Sequence, residues 1–340
     1  VSGMTKRTIG LLCTVGLALA LTACGSSGSD SGGSGGSNLT PVTVAFTYSW
    51  KGEYAPLVLA DEKGYFAKQG LKVTFKEGKG SQVAYSSLGD ATDTFVIGPS
   101  ADAAEAISGG VPIIDVATFA PVTPSVLVAK PGTTVSTPQD LVGKHVGLRS
   151  GADASLFFKA FLKKNGVDPS KVNVTEMNSA AATTAFLNGT IQVVDAFTNN
   201  ELPTIEQKLG QTPNTLAFSD FGFPILGQGV TVSTAMAKAK PDLIKKFLIA
   251  EAQGIDAAKK DPVGAAKTLK SKESAKLPDE PIVEQQVKST LAVMVPEPGH
   301  QLGWLSDATW TKMLDLFKQA GQTETSLPLS KYYTNEFLSP

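Results

Sequence analysis

Cysteine, histidine and arginine are nearly absent from this 340-residue chain, with two of each. Both cysteines, Cys13 and Cys24, fall within the first 24 residues. The body of the chain therefore offers no disulfide, no thiolate metal site and no cysteine nucleophile. His145 and His300 stand apart, with no carboxylate cluster at ligand spacing beside either, which argues against a bound metal and against a histidine acid–base pair. No catalytic residue and no cofactor is assigned. Charged residues make up 18% of the chain, and 30 bases nearly match 31 acids. No basic stripe marks a nucleic-acid partner, and no long like-charge run marks a tail. No apolar run reaches the ~20 residues that a membrane-spanning helix needs. Aromatic residues are sparse at 7%, so the positions of the three tryptophans carry information.

What is present begins with a leader. Lys6 and Arg7 precede the apolar run "IGLLCTVGLALA" (9–20), which is followed by "LTAC" (21–24). A charged n-region, a short h-region and small residues before a cysteine read as a secretory leader ending in a lipobox. Cleavage before Cys24 and a diacylglyceryl group on its sulfur would anchor the chain to a membrane; the alternative is an ordinary leader with a chance cysteine. The next stretch, "GSSGSDSGGSGGSN" (25–38), is a flexible Gly/Ser coil spanning roughly 20 Å, which suits a tether. Its "GGSGG" matches a nucleophile elbow only formally, because no strand precedes it and no helix follows. Without Lys6 and Arg7 the mature chain has 28 bases against 31 acids, a net charge of −3. One arginine, Arg149, remains.

From residue 41 onward, strands alternate with helices. "VTVAFTYS" (42–49) places Val42, Val44, Phe46 and Tyr48 at period two. A helical run from 55 closes at Gly70, and "LKVTF" (71–75) alternates again. "DTFVIG" and "VPIIDVATF" flank the helical "ADAAEAISGG". A second series has strands "HVGL", "NVTEM" and "VVDAFT", with the helix "ASLFFKAFLKKNG" stopped by Gly166. "GVTVST" follows, and then a helix opened by Pro241, with Leu243, Ile244, Phe247, Leu248 and Ile255 on one face. This alternation predicts an α/β architecture with largely parallel sheets in two lobes. In such sheets ligands sit at the carboxyl ends of strands. That rule selects the loops 48–54, 78–82, 98–102, 119–125 and 149–155 and the turn 198–203.

Four segments carry a resemblance. They are "APLVLADEKGYFAKQGLKVTF" (55–75), "GVDPSKVNVTEM" (166–177), "LNGTIQVVDAFTNNELP" (187–203) and the ending "YYTNEFLSP" (332–340). In this order and spacing the chain resembles the nitrate/sulfonate/taurine/thiamine-pyrimidine family of ABC-importer solute-binding proteins. The resemblance covers about residues 41–340. It implies a two-lobed type II periplasmic-binding-protein fold with a central ligand cleft and hinge. Lobe 1 would comprise 41–128 and 224–340 and lobe 2 would comprise 129–223, behind a leader (1–23) and a lipidated cysteine with its tether (24–40). The implied partners are a small-molecule solute, an ABC permease with its ATPase subunits and, through the lipid, the membrane. The molecule is expected to be an extracytoplasmic monomer.

Candidate ligand contacts follow from the loops. Arg149, after "HVGL", adds a bidentate fork to the hydroxyls of Ser150 and Ser155 and to the free N–H groups of the helix starting near Asp153. It reads as an anion hook, unless it pairs with Asp153 or lies on the surface. In "YSWKGEY" (48–54), Trp50 and Tyr54 face the ligand as stacking surfaces, while Tyr48 divides between core and cleft. Ser81, Gln82 and Ser100 either donate to solute or cap helices. Phe119 and Phe221 are candidate cleft linings near the crossovers. Asn199 and Glu201, in "TNNELP", are polar groups at a strand end, or else a solvated turn. In the thiamine-pyrimidine branch the matching place helps hold a heteroaromatic amine ring. That branch often carries Trp-x-Pro-Asn…His in its first loop; here "SWKGEYA" keeps the tryptophan, lacks Pro and Asn, and has Tyr54 where the histidine would fall.

These readings lead to non-catalytic capture of a small planar organic solute, a thiamine-pyrimidine precursor or similar heterocycle being the best guess. Arg149 favours the alternative of a sulfonate, nitrate or aromatic carboxylate. A pyrimidine-synthesising enzyme, known among fungal relatives of the same branch, is disfavoured by the missing reactive cysteine and histidine cluster. An adhesion or signalling lipoprotein would reuse the fold without closing on a solute.

Overall fold

Val42, Val44 and Phe46 are buried, and so is Ala45 between them. Strand β1 (Thr40–Phe46) is thus covered on both faces, as expected of a strand inside a helix-flanked sheet. The computed structural model describes residues 39–150, 152–321 and 327–338, with the side chain of Asp153 outside this set. The expected leader, Cys24 and tether lie outside the described residues.

The first sheet contains β1, β2 (Leu71–Lys76), β3 (Phe95–Pro99), β4 (Ile113–Thr118) and β10 (Gln228–Ser233), in the order β2-β1-β3-β10-β4. The second contains β5 (Ser125–Ala129), β6 (His145–Arg149), β7 (Asn173–Met177), β8 (Val193–Phe197) and β9 (Asn214–Ala217), in the order β7-β6-β8-β5-β9. The two sheets share one plan. In each, four strands run in one direction, and the fifth enters antiparallel between two of them: β10 between β3 and β4, and β5 between β8 and β9. Each antiparallel strand is the one that follows a crossing from the other sheet. A chain arriving from the facing lobe enters the sheet from the opposite end. The crossings fall at 119–124 and within 218–227. The first lies earlier than the expected boundary at 128/129, because "SVLVA" (125–129) is a fully buried strand of the second sheet.

Two observations explain how the lobes are braced. The first core is aromatic: Phe95 stacks on Phe247 at 3.9 Å, and Phe247 packs on Phe66 at 5.2 Å. Helix Pro241–Lys260, opened by Pro241 as predicted, supplies Phe247. The second is the C-terminal helix Asp307–Ala320, which follows the return to lobe 1 yet lays Phe317 on Phe157 of helix Asp153–Lys164 in lobe 2, at 4.9 Å. Its flanks are tied to lobe 1 by bridges from Thr118 to Gly303 and from Asp115 to Tyr333. Trp310 stacks on Tyr333 at 4.7 Å.

Candidate functional site

The carboxyl ends of β1, β6 and β8 meet at the junction of the two sheets, where open α/β sheets place ligands. After β1 the chain turns through Tyr48, Trp50 and Lys51. After β6 it passes Arg149 and Ser150, and after β8 it passes Asn199, Asn200 and Glu201. Helix Glu280–Val293 closes the fourth side. These elements and Pro278 enclose a cavity of about 470 Å³ lined by Tyr48, Trp50, Lys51, Arg149, Ser150, Ser179, Asn200, Glu201 and Gln286, among others. Tyr48 and Ser150 also line a second cavity of about 680 Å³, whose other walls mix polar residues (Lys79, Ser81, Gln82, Ser86, Asp102 and Glu105) with apolar ones such as Val83 and Val111. A narrow third space of about 30 Å³ lies against Tyr48, Phe197, Asn199, Thr290 and Met294.

The lobes touch across this junction. Gln286 donates from Nε2 to the Asn200 carbonyl (3.1 Å), while its Oε1 accepts from the Gly52 N–H (3.0 Å). Gly52 has to be glycine here: a Cβ on it would stand 2.4 Å from Cβ of Gln286. Asn199 donates to Thr290 Oγ1 (3.2 Å), and Tyr48 meets Phe197 edge-on at 6.5 Å.

Arg149 sits in the cavity wall with its side chain 7% exposed. Its Nε binds Oδ2 of Asp195 at 2.8 Å, and its main-chain N–H donates to Oδ1 of the same residue at 2.6 Å. Its Nη1 binds Oε2 of Glu201 at 2.9 Å. The guanidinium also lies 4.2 Å from the centre of the Phe197 ring. Glu201 accepts further bonds from the Phe197 N–H (3.0 Å), Ser179 Oγ (3.1 Å) and Asn200 Nδ2 (2.7 Å). Burial by itself would raise the Glu201 carboxyl, but Arg149 and Lys51, with main-chain N–H donors, outweigh it and hold the group below its usual range. For Asp195 the balance goes the other way: burial pushes it up to about 6 against the pull of Arg149.

Several predicted contacts come together in these walls. Trp50, Arg149, Ser150 and Glu201 line the first cavity. Ser81 and Gln82 line the second, with Ser81 donating to Asp102 (2.5 Å), and Asn199 lines the narrow one. Trp50 is largely buried against Phe46 and Phe75, and only part of it reaches the cavity.

Other predicted contacts line none of the three. Tyr54 is fully buried and stacked on Phe46 at 3.7 Å, because the turn after β1 folds it back under the sheet. Tyr48 takes the cleft position in its place. Ser100 is buried and donates to Asp115 (2.7 Å) beneath the first sheet. Phe119 is buried under Gly303. Ser155 spends its hydroxyl on the Ala152 carbonyl (2.8 Å). Phe221 packs in the lobe 2 core, where its carbonyl accepts from Asn165 (3.2 Å). Arg149, expected as an anion hook, lines the first cavity with its Nε on Asp195 and its Nη1 on Glu201.

Asp195, Gln286 and Thr290 were not foreseen, though each left a trace. Asp195 is the lone charge in the buried strand "VVDAF". Gln286 and Thr290 interrupt the apolar stripe Ile282, Val283, Val287 and Leu291. A polar residue in a buried stripe has to find a partner.

Comparison with known proteins adds three findings. Residues 51–265 match the family described as NMT1/THI5 like. The riboflavin-binding protein RibY of Chloroflexus aurantiacus is 25% identical over 314 residues, covering 88% of this chain and 86% of RibY. Two solved structures share the fold. The periplasmic aliphatic sulphonate binding protein SsuA of Escherichia coli superposes with a TM-score of 0.69 at 14% identity, over 86% of this chain and 91% of SsuA. The periplasmic nitrate-binding protein NrtA of Synechocystis PCC 6803 does so with a TM-score of 0.65 at 12% identity, over 88% and 87%.

Proposed function

The chain belongs to the NMT1/THI5-like family, and from that premise we propose that it is the extracytoplasmic solute-binding component of an ABC importer. It captures a small planar heteroaromatic solute between its lobes and hands it to the permease. The solute is a thiamine-pyrimidine precursor or a related ring system such as a flavin. The observation that carries this reading is the cavity at the strand ends, where Tyr48 and Trp50 offer aromatic surface beside the hydroxyl and amide groups of Ser150, Ser179, Asn200 and Gln286. A flat ring with nitrogen and oxygen edges matches that lining. The name of RibY, a riboflavin-binding protein, supports a heteroaromatic ligand. The molecule works as a monomer, held at the membrane through lipid on Cys24.

The test is a thermal-shift panel on the purified protein with riboflavin, aminopyrimidines, alkanesulfonates and nitrate. A solute at 100 times its Kd stabilises by about 2.7 kcal/mol. A melt unmoved by every planar heterocycle overturns the reading. Anchoring is tested by metabolic labelling with radioactive fatty acid: the wild type incorporates label and Cys24→Ala does not.

A further inference from the structure

Arg149 is the only arginine among the described residues, and it stands in the cavity wall. A guanidinium in that place invites an anion. The structure gives the fork another use. Asp195 occupies Nε from the buried side and Glu201 occupies Nη1 in the cavity wall, so one cation meets two carboxylates. Glu201 is held from several sides at once, by Arg149, the Phe197 N–H, Ser179 and Asn200. It also opens helix Glu201–Leu209, where the helix dipole favours a negative side chain. A solute anion approaching this wall meets the Glu201 carboxylate beside Arg149, with Lys51 as the other cation of the lining. To take Nη1 of Arg149 it has to displace Glu201, which would leave a buried carboxylate without its cation, a strongly unfavourable state.

We propose that Glu201 is the residue that sets the charge selectivity of the cleft. By occupying Nη1 of Arg149 it excludes sulfonate, nitrate and carboxylate groups and leaves the site open to neutral or cationic rings. Removing its charge converts the same wall into an anion receptor. This inference rests on the reading of the cleft as a solute site.

The experiment compares wild type, Glu201→Gln, Glu201→Asp and the double variant Glu201→Gln/Arg149→Gln. Each is titrated at constant ionic strength with nitrate, methanesulfonate and the pair uracil and orotate, of which only orotate carries a carboxylate; riboflavin is included as a neutral ring. Binding is read by calorimetry and by thermal shift. The wild type should ignore the anions and prefer uracil to orotate. Glu201→Gln should bind the anions roughly ten- to a hundred-fold more tightly than wild type does, the gain expected of one released charge-assisted pair. Glu201→Asp keeps the negative charge and should stay blind to them, and the double variant should lose the gain. Anions that bind the wild type as tightly as Glu201→Gln overturn the selectivity role, even where riboflavin or uracil binds and the solute-site reading stands. Rings and anions that all leave every protein unmoved overturn the solute-site reading itself. If Glu201→Gln fails to fold, wild type that binds orotate as tightly as uracil still overturns the proposal.

Discussion

Gln286 joins the two lobes through a single amide, giving a hydrogen bond to the carbonyl of Asn200 on one side and taking one from Gly52 on the other. Gly52 belongs to the loop after β1, and Asn200 to the turn after β8. The side chain therefore senses the distance between the lobes directly. Closure of a two-lobed clamp is a hinge motion whose balance is set by contacts made only in the closed form.

Gln286→Glu should shift that balance. The new carboxylate can still accept from Gly52 but cannot donate to the Asn200 carbonyl, and it repels it. The apparent affinity for solute falls as the binding-competent fraction falls. The expected loss is several-fold to about tenfold, the worth of one buried hydrogen bond to an ionised or neutral partner. Small-angle scattering of the unliganded variant should show a larger radius of gyration than wild type. An unchanged radius and affinity would remove Gln286 from the closure mechanism.

The two tyrosines of the first loop should separate stability from binding. Tyr54 is fully buried and stacked on Phe46, so Tyr54→Ala opens a cavity costing ~3–5 kcal/mol. Tyr48 is half-buried and lines all three cavities. Tyr48→Ala should cost much less stability and weaken solute binding by about tenfold, the value of a lost aromatic stack. Denaturant melts and calorimetry on both variants check the split.

Asp115 predicts a pH dependence of stability. It is buried in β4, accepting from Ser100 (2.7 Å) and Thr118 (3.2 Å), and burial pushes its carboxyl up to about 8 against those bonds. In the unfolded chain an aspartate titrates near ~3.9. The folded state therefore binds the proton more tightly. The stabilising contribution is complete below about pH 4 and is lost as pH rises through about 8, at ~1.4 kcal/mol per unit in between. Asp115→Asn keeps the shape and can satisfy both hydroxyls. Its Tm should fall less than that of wild type between pH 5 and 8, as measured by calorimetry.

Glu251 should be dispensable and costly. It lies buried in helix Pro241–Lys260, its Oε2 has no hydrogen-bond partner, and burial holds its carboxyl well above the usual range. Its sign is the same as that of Asp115: whatever it contributes is present in acid and lost as pH rises. Glu251→Met, similar in length and without polar oxygens, should raise stability at pH 7 by ~1–3 kcal/mol, the desolvation penalty of an unpaired buried group. Solute affinity should not change. A fall in Tm at pH 7 would show that the carboxyl has a compensating role.

The regular elements were legible because their signals are local. Period-two alternation located β1 and β2, and Pro241 marked the start of its helix. The strand "SVLVA" was missed because a short apolar run without alternation carries no periodic signal. The loops at the strand ends were legible too, from the rule for open α/β sheets, and they do contain the cavity walls. Which side chain of a loop faces the cavity was not legible. In "YSWKGEY" Tyr54 read as ligand-facing and Tyr48 as divided between core and cleft, and the path of the turn after β1 put Tyr48 in the cleft and Tyr54 in the core.

By itself the sequence determined the α/β alternation, the poverty of reactive side chains, and the loops from which a site could be built. These follow from propensity, periodicity and composition, which act over a few residues at a time. The order of the lobes and their crossings was implied only by the family resemblance. The tertiary structure alone decided what Arg149 does. Its partners lie 46 and 52 positions away, at Asp195 and Glu201. A residue that reads as an anion hook beside its own neighbours is paired in the fold with two distant carboxylates. Charge pairing depends on distance in space, and only the packing of β6 beside β8, with the turn that follows, brings these groups within hydrogen-bonding reach.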